Sequence, residues 1–180
     1  GLSGNPDLMD GGSVLVPTEL NVNEGEEIAI SGIVFTDVDA GDDDVRATFQ
    51  IGTGDGSLAA ASSGGVTVGG NFQNLTLTGS VDEINAFIAA GNLRYSAEDD
   101  DADVTLTTSI NDLGNNGAGG PQDEVAQGQT TINVSPVNDA PTIDAALVIA
   151  VTEDVASPIT GIVFEDVDAG DDDVSATLSV

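Results

Sequence analysis

Cysteine, histidine, lysine and tryptophan are all missing from this 180-residue chain. Without Cys there is no disulfide framework and no thiolate metal site. Without His the common zinc, iron and copper ligand sets and every imidazole base are excluded. Without Lys there are no Lys–Asn isopeptide crosslinks. Basic residues are scarce: Arg46 and Arg94 stand against 32 Asp and Glu, for a formal net charge of −30. Affinity for phosphate comes from Lys and Arg, so nucleic acid and anionic lipid surfaces are not expected partners. No apolar run approaches the ~20 residues of a membrane span, and residues 1–15 lack the basic start of a secretion signal. Direct membrane insertion is therefore not expected, and the chain reads as an excerpt from a longer protein.

What is present is a folding pattern. Apolar residues make up 39% of the chain and sit in alternating runs, unlike an acidic disordered tail. Alternation broken by Gly, Asn and Asp predicts strands near 19–23, 28–35, 45–51, 65–68, 72–78, 93–97, 104–110 and 127–135. One short helix interrupts them. Ser80 and Glu83 make a capping box, Ile84, Phe87 and Ile88 form a stripe at helical spacing, and Gly91 ends the helix. Its expected role is a core plug over an open sandwich edge. Seven or eight short antiparallel strands indicate an all-β, immunoglobulin-like sandwich.

The chain also repeats itself. Residues 32–48 read GIVFTDVDAGDDDVRAT and residues 161–177 read GIVFEDVDAGDDDVSAT, differing only at Thr36 against Glu165 and Arg46 against Ser175. The offset, 161 less 32, is 129 residues, the length of a domain and well beyond the roughly 20 to 50 residues of solenoid units. Three segments follow: an N-terminal tail or degraded linker at 1–17, a sandwich module at 18–137, and at 138–180 a linker plus the first strands of a second copy. Those strands are expected to be incomplete unless they borrow others. The junction PVNDAP, 136–141, is stiffened by Pro136 and Pro141.

Strand parity places the acids. Asp37, Asp39 and Asp42 fall at one end of the module with Asp112; Glu24, Glu98, Asp99 and Asp101 fall at the other, beside Asn138 and Asp139. Stacked modules would set that second group against Asp166, Asp168 and Asp171. Two carboxylates ~5 Å apart repel by ~1 kcal/mol in water and ~3 at a protein surface, and a cation reverses each sign. Oxygen-only ligands in such number suit calcium better than magnesium, which keeps most of its waters. The alternatives remain open: an acidic run is often just a solvated turn, and Asp112 can cap a turn through its own backbone. GTGDGS, 52–57, lacks the Lys and following helix of a phosphate loop and reads as a hairpin. A carboxylate-pair hydrolase needs an apolar cleft and usually aromatic platforms. With no Trp, and with Tyr95 and Phe72 at positions that read as core strand, neither catalysis nor a small-molecule substrate is expected. A glycan or homophilic binding module that uses calcium is the alternative.

These motifs resemble a known family. PVNDAP is similar to the DxNDNAP junction of cadherins, DVDAG to their DxDxG loop, Asn111-Asp-Leu-Gly to their AxDxG, and Glu24 and Glu153 to the Glu ending their first strand. Residues 75–112, followed by GNNGAGG and VNDAP, resemble the cadherin-like tandem repeats of large bacterial repeats-in-toxin adhesins. The C-terminal calcium nonapeptide of those proteins is absent, and before the first copy the linker is reduced to DLMD, 7–10. The resemblance implies a cadherin-like sandwich in tandem, with adjacent repeats of the same polypeptide as partners. It also implies calcium at Glu24, Asp37, Asp39, Asp42, Glu98, Asp99, Asp101, Asp112, Asn138, Asp139, Glu153, Asp166, Asp168 and Asp171. Such modules are extenders that hold binding domains away from the outer membrane of a Gram-negative cell.

Overall fold

The computed structural model describes residues 13–37, 40–53, 55–98, 102–114, 125–146, 148–170 and 172–179. Strand β5 (Val45–Gln50) shows why this sequence makes sheets: Val45, Ala47 and Phe49 are fully buried while Arg46 and Gln50 face solvent. It lies inside a six-stranded sheet with β2 (Glu19–Asn23), β7 (Thr67–Asn71), β8 (Asn74–Gly79), β10 (Val104–Asn111) and β11 (Val125–Ser135), in the order β2-β11-β10-β5-β8-β7. All its pairs are antiparallel except β2 with β11, which run parallel from Glu19 opposite Thr131 to Asn23 opposite Ser135.

A three-stranded sheet of β3 (Glu27–Ala29), β9 (Arg94–Ser96) and β6 (Ser57–Ala59), and a pair of β1 (Ser13–Leu15) with β4 (Val34–Thr36), contribute to the same core. Phe35 of β4 meets Phe49 of β5 edge to face, ring centres 6.2 Å apart. Tyr95, Leu58, Leu77 and Ile110 complete the apolar centre of this all-β sandwich.

Helix α1 (Val81–Ala89) begins and ends as its sequence dictates. Ser80 accepts from the Glu83 N–H, and the Glu83 carboxylate accepts from the Ser80 N–H. At the other end Gly91 takes φ +75°, and the N–H groups of Gly91 and Asn92 turn back to the carbonyls of Ile88 and Phe87. Val81, Ile84, Phe87 and Ile88 are buried. From the same helix, Asn85 bonds both backbone polar groups of Phe35, so α1 covers the edge of β4.

Four expectations change. Ser13–Leu15, expected within a tail, is a strand whose Val14 packs on the core. The single strand expected at 28–35 is two, in different sheets, because Gly32 turns the chain at φ +77° between them. GTGDGS, 52–57, expected as a hairpin, joins strands of different sheets, β5 and β6. Both edges of β5 are taken, by β8 and β10, so the chain crosses to the other sheet, where a Cβ on Gly56 would lie 2.8 Å from the Tyr95 hydroxyl. Phe72, expected in core strand, sits at the β7–β8 turn with 58% of its surface exposed.

The chain divides into two compact units, 1–136 and 137–180. Among the described residues, unit 2 holds one antiparallel pair, β12 (Thr142–Ala145) with β13 (Ile162–Glu165). Among the described residues no helix is long and apolar enough to cross a membrane.

Candidate metal centre

The acidic turn 37–44 is built locally. Asp37 accepts from the Ala40 N–H at 3.1 Å, and the Asp43 N–H reaches the Ala40 carbonyl at 2.8 Å, which folds the run back towards β5. Ala40 is buried and Asp42, Asp43 and Asp44 are exposed. Asn111 pairs with Arg46 across β10 and β5, so the turn after β10 lies at this same end of unit 1. There Asp112 accepts from the Gly114 N–H at 3.0 Å and Asn111 from the Leu113 N–H at 2.8 Å. The turn-capping geometry is thus the one Asp112 adopts.

At the opposite end, β2 and β11 finish side by side. The Glu24 N–H donates to the Ser135 carbonyl at 3.0 Å, and Glu24 is the one acid among the described residues that is buried, at 8% exposure. The Ala97 N–H donates to the Glu26 carbonyl, which brings Glu98 to this end as well. A carboxylate that the sequence reading passed over also belongs here: Asp103 accepts from the Val134 N–H at 3.1 Å, holding the end of β11 just before Pro136. Its signal was available, as an Asp immediately ahead of a strand beside the module's exit.

Unit 2 gathers the linker and its own acidic turn. The Asp139 N–H donates to the Asp168 carboxylate, the Asp168 N–H donates to Asp166 at 3.1 Å, and the Asn138 amide donates to the Asp139 carbonyl at 2.9 Å. Glu153 stands exposed in a turn whose next residue, Asp154, takes φ +64°. Asn138, Asp139, Asp166 and Asp168 are therefore neighbours. Asp39, Asp99, Asp101 and Asp171 lie outside the described residues.

Among the described residues, no three acidic side chains form a ready metal cage. The donors at each place are carboxylate, amide and backbone carbonyl oxygens, a set that fits a hard, oxygen-preferring cation such as calcium and no softer metal. Cations are otherwise few. Arg94 pairs with Glu27, both partners half exposed, and Arg46 makes no ion pair with a described residue.

No family model matches the chain, and no curated protein does. Among solved structures, the N-terminal domain of a Streptococcus gordonii adhesin matches at a TM-score of 0.34 and 9% identity, over 69% of this chain and 32% of that one. The chain spans about a third of the length of that structure.

Proposed function

We propose that the chain is a calcium-stabilised structural extender of a secreted bacterial surface adhesin. In this reading calcium stiffens the connections between successive modules of one polypeptide, and so projects distal binding domains from the outer membrane of a Gram-negative cell. One observation carries the proposal. In unit 2 the backbone of Asp139, a linker residue, is bonded to the carboxylate of Asp168 in the acidic turn, so the linker is folded against a cluster of oxygen donors. Calcium would take Asn138, Asp139, Asp166 and Asp168 with Asp171, and Glu153 stands at the position that Glu24 holds in unit 1. In this reading Glu24 and Glu98 would supply oxygens at the exit end of unit 1 and Asp37, Asp42 and Asp112 at its other end, with Asp39, Asp99 and Asp101 proposed as further ligands from the sequence alone. A bound divalent ion replaces mutual repulsion in a −30 chain with attraction to a common centre. The proposal assigns the chain no catalytic role.

The test is calorimetric calcium titration of the chain beside an Asp166→Asn, Asp168→Asn double variant. An amide oxygen still accepts the Asp139 N–H, so the turn is preserved while two charges are lost. Weaker binding or fewer ions per chain supports the proposal. Unchanged stoichiometry and affinity, with a gain in stability at low salt, identifies a solvated turn instead and ends it.

The exposure of Phe72 favours a second reading, a calcium-dependent binding module for glycans, because such modules present an aromatic ring to the sugar. A glycan-array signal that Phe72→Ser abolishes would select it. A blank array together with calcium-dependent stiffness in solution scattering would select the extender.

A further inference from the structure

Five strands of the six-stranded sheet, β11, β10, β5, β8 and β7, contain no Asp or Glu at all, in a chain that has 32. Glu19 on the edge strand β2 is the one acid in the sheet. Alternation turns the apolar residues of these strands into the core and leaves hydroxyls and carboxamides outside. The register then lines them up. Gln129 lies opposite Thr107, Thr107 opposite Gln50, Gln50 opposite Asn74 and Asn74 opposite Asn71. This row crosses five strands and spans about 19 Å at the usual strand spacing. Beside it run Gln127, Ser109, Thr48 and Thr76. The three-stranded sheet differs in kind, since its outer side carries the Glu27–Arg94 ion pair.

The row ends at an aromatic ring. Phe72 stands at the β7–β8 turn with 58% of its surface exposed, and the turn that carries it is pinned from both sides. The Asn71 carboxamide accepts from the N–H groups of Gln73 and Asn74 at 2.9 Å each. The Phe72 carbonyl accepts from the Leu58 N–H at 2.7 Å, and the Gln73 carbonyl from the Ile51 N–H at 3.0 Å. The side chains of Gln129, Thr107, Gln50 and Asn74 make no hydrogen bond to another described residue, so their donors and acceptors are open to a ligand.

Charge and chemistry select the partner. A net charge of −30 repels nucleic acids and acidic polymers, and it repels a second copy of the chain equally. A protein partner needs an apolar centre to its interface, and the row supplies none before Phe72. A neutral polysaccharide asks for what is here: groups in line that both donate and accept hydrogen bonds, with an aromatic face on which a sugar ring can lie.

We propose that the outer face of the six-stranded sheet binds an extended neutral polysaccharide, laid across the strands from Gln129 to Asn71 and stacked at one end on Phe72. This rests on the glycan reading given above and departs from it on the metal: the row holds no carboxylate, so binding needs no calcium. Each polar contact contributes little, because water competes for every hydroxyl. The pinned turn and the sheet beneath the row are ordered before the ligand arrives, which keeps the entropy cost of binding low.

The experiment is affinity electrophoresis of the chain in gels that hold galactomannan, mixed-linkage β-glucan or, as the acidic comparison, carboxymethylcellulose, each run in chelator and in calcium. The expected result is retardation by the neutral polymers in chelator and none by carboxymethylcellulose. Phe72→Ser and a Gln50→Ala, Asn74→Ala double variant should each raise the apparent Kd about tenfold or more. All three side chains are exposed, so melting temperatures should stay at the parent value. The proposal is overturned if neither neutral polymer retards the chain in chelator, if carboxymethylcellulose does so as strongly, or if the double variant binds like the parent. Two of these failures spare the glycan reading while removing this row from it: retardation in calcium alone, and retardation that only Phe72→Ser abolishes. A dimer in sedimentation that the double variant dissociates makes a second copy the occupant, and overturns the proposal as well.

Discussion

The side chain of Asn85 grips Phe35 at both of its backbone polar groups, accepting from the N–H at 2.9 Å and donating to the carbonyl at 2.8 Å. A helix thereby does for β4 what a neighbouring strand does elsewhere in the sandwich. Asn85→Ala removes both bonds while leaving Val81, Ile84, Phe87 and Ile88 to pack. Two partly buried backbone groups lose their partners, and unfolding free energy should drop by about 2–4 kcal/mol. Urea denaturation reads this directly; a midpoint within error of the parent chain would show that the grip contributes nothing.

Calcium should raise the melting temperature, because an ion that binds only the folded state adds RT ln(1 + [L]/Kd), about 2.7 kcal/mol at a hundredfold excess over Kd. Scans in chelator and in millimolar calcium, at matched ionic strength, decide it. Coincident curves would remove calcium from the account of this protein.

Monovalent salt should stabilise the chain on its own. With 32 acids against two arginines, repulsion among surface carboxylates is widespread, and at 0.15 M salt the screening length falls to about 8 Å. Melting should rise from low salt to that concentration in the presence of chelator. A flat response would mean that the carboxylates are too well separated to matter.

Thr108→Val should be neutral or stabilising. The Thr108 hydroxyl is fully buried on β10 and has no hydrogen-bond partner among the described residues. Replacing it with a methyl of similar shape removes an unmet polar group, a gain of up to about 1 kcal/mol in unfolding free energy. The denaturation midpoint should move up with its slope unchanged; a clear drop would reveal a role for the hydroxyl in the core.

The sandwich was legible where one residue's neighbours decide its fate. Val45, Ala47 and Phe49 alternate with polar residues, and Ser80 with Glu83 announces a helix start, so β5 and α1 follow from spacing alone. Short strands escaped because three residues give no period: Ser13–Leu15 and Ser57–Ala59 are strands only because β4 and β9 are there to receive them. Phe72 misled because an aromatic beside alternating residues reads as one more inward position, when Asn71, accepting from the N–H groups of Gln73 and Asn74, had already turned the chain. The acidic turns were readable as turns, since Asp37 and Asp166 each bond to backbone within three residues. Which acids become neighbours depends on contacts distant in sequence, such as Glu24 to Ser135, and no local pattern states those.

The parallel pairing of β2 with β11 has a mechanical consequence. Past the short β1, the first of these strands starts from one end of unit 1 and the second finishes at the other, side by side over Glu19–Asn23 and residues 131–135. Once β1 has come away from β4, tension between the unit's two ends therefore pulls these strands past each other lengthwise. The hydrogen bonds between them share the load and must yield together, whereas a strand peeled from its edge gives up one bond at a time. Resistance to pulling is a matter of unfolding rate, not of equilibrium stability. The pairing therefore makes this sandwich harder to tear along its length than it would be if the same strand were peeled away one bond at a time.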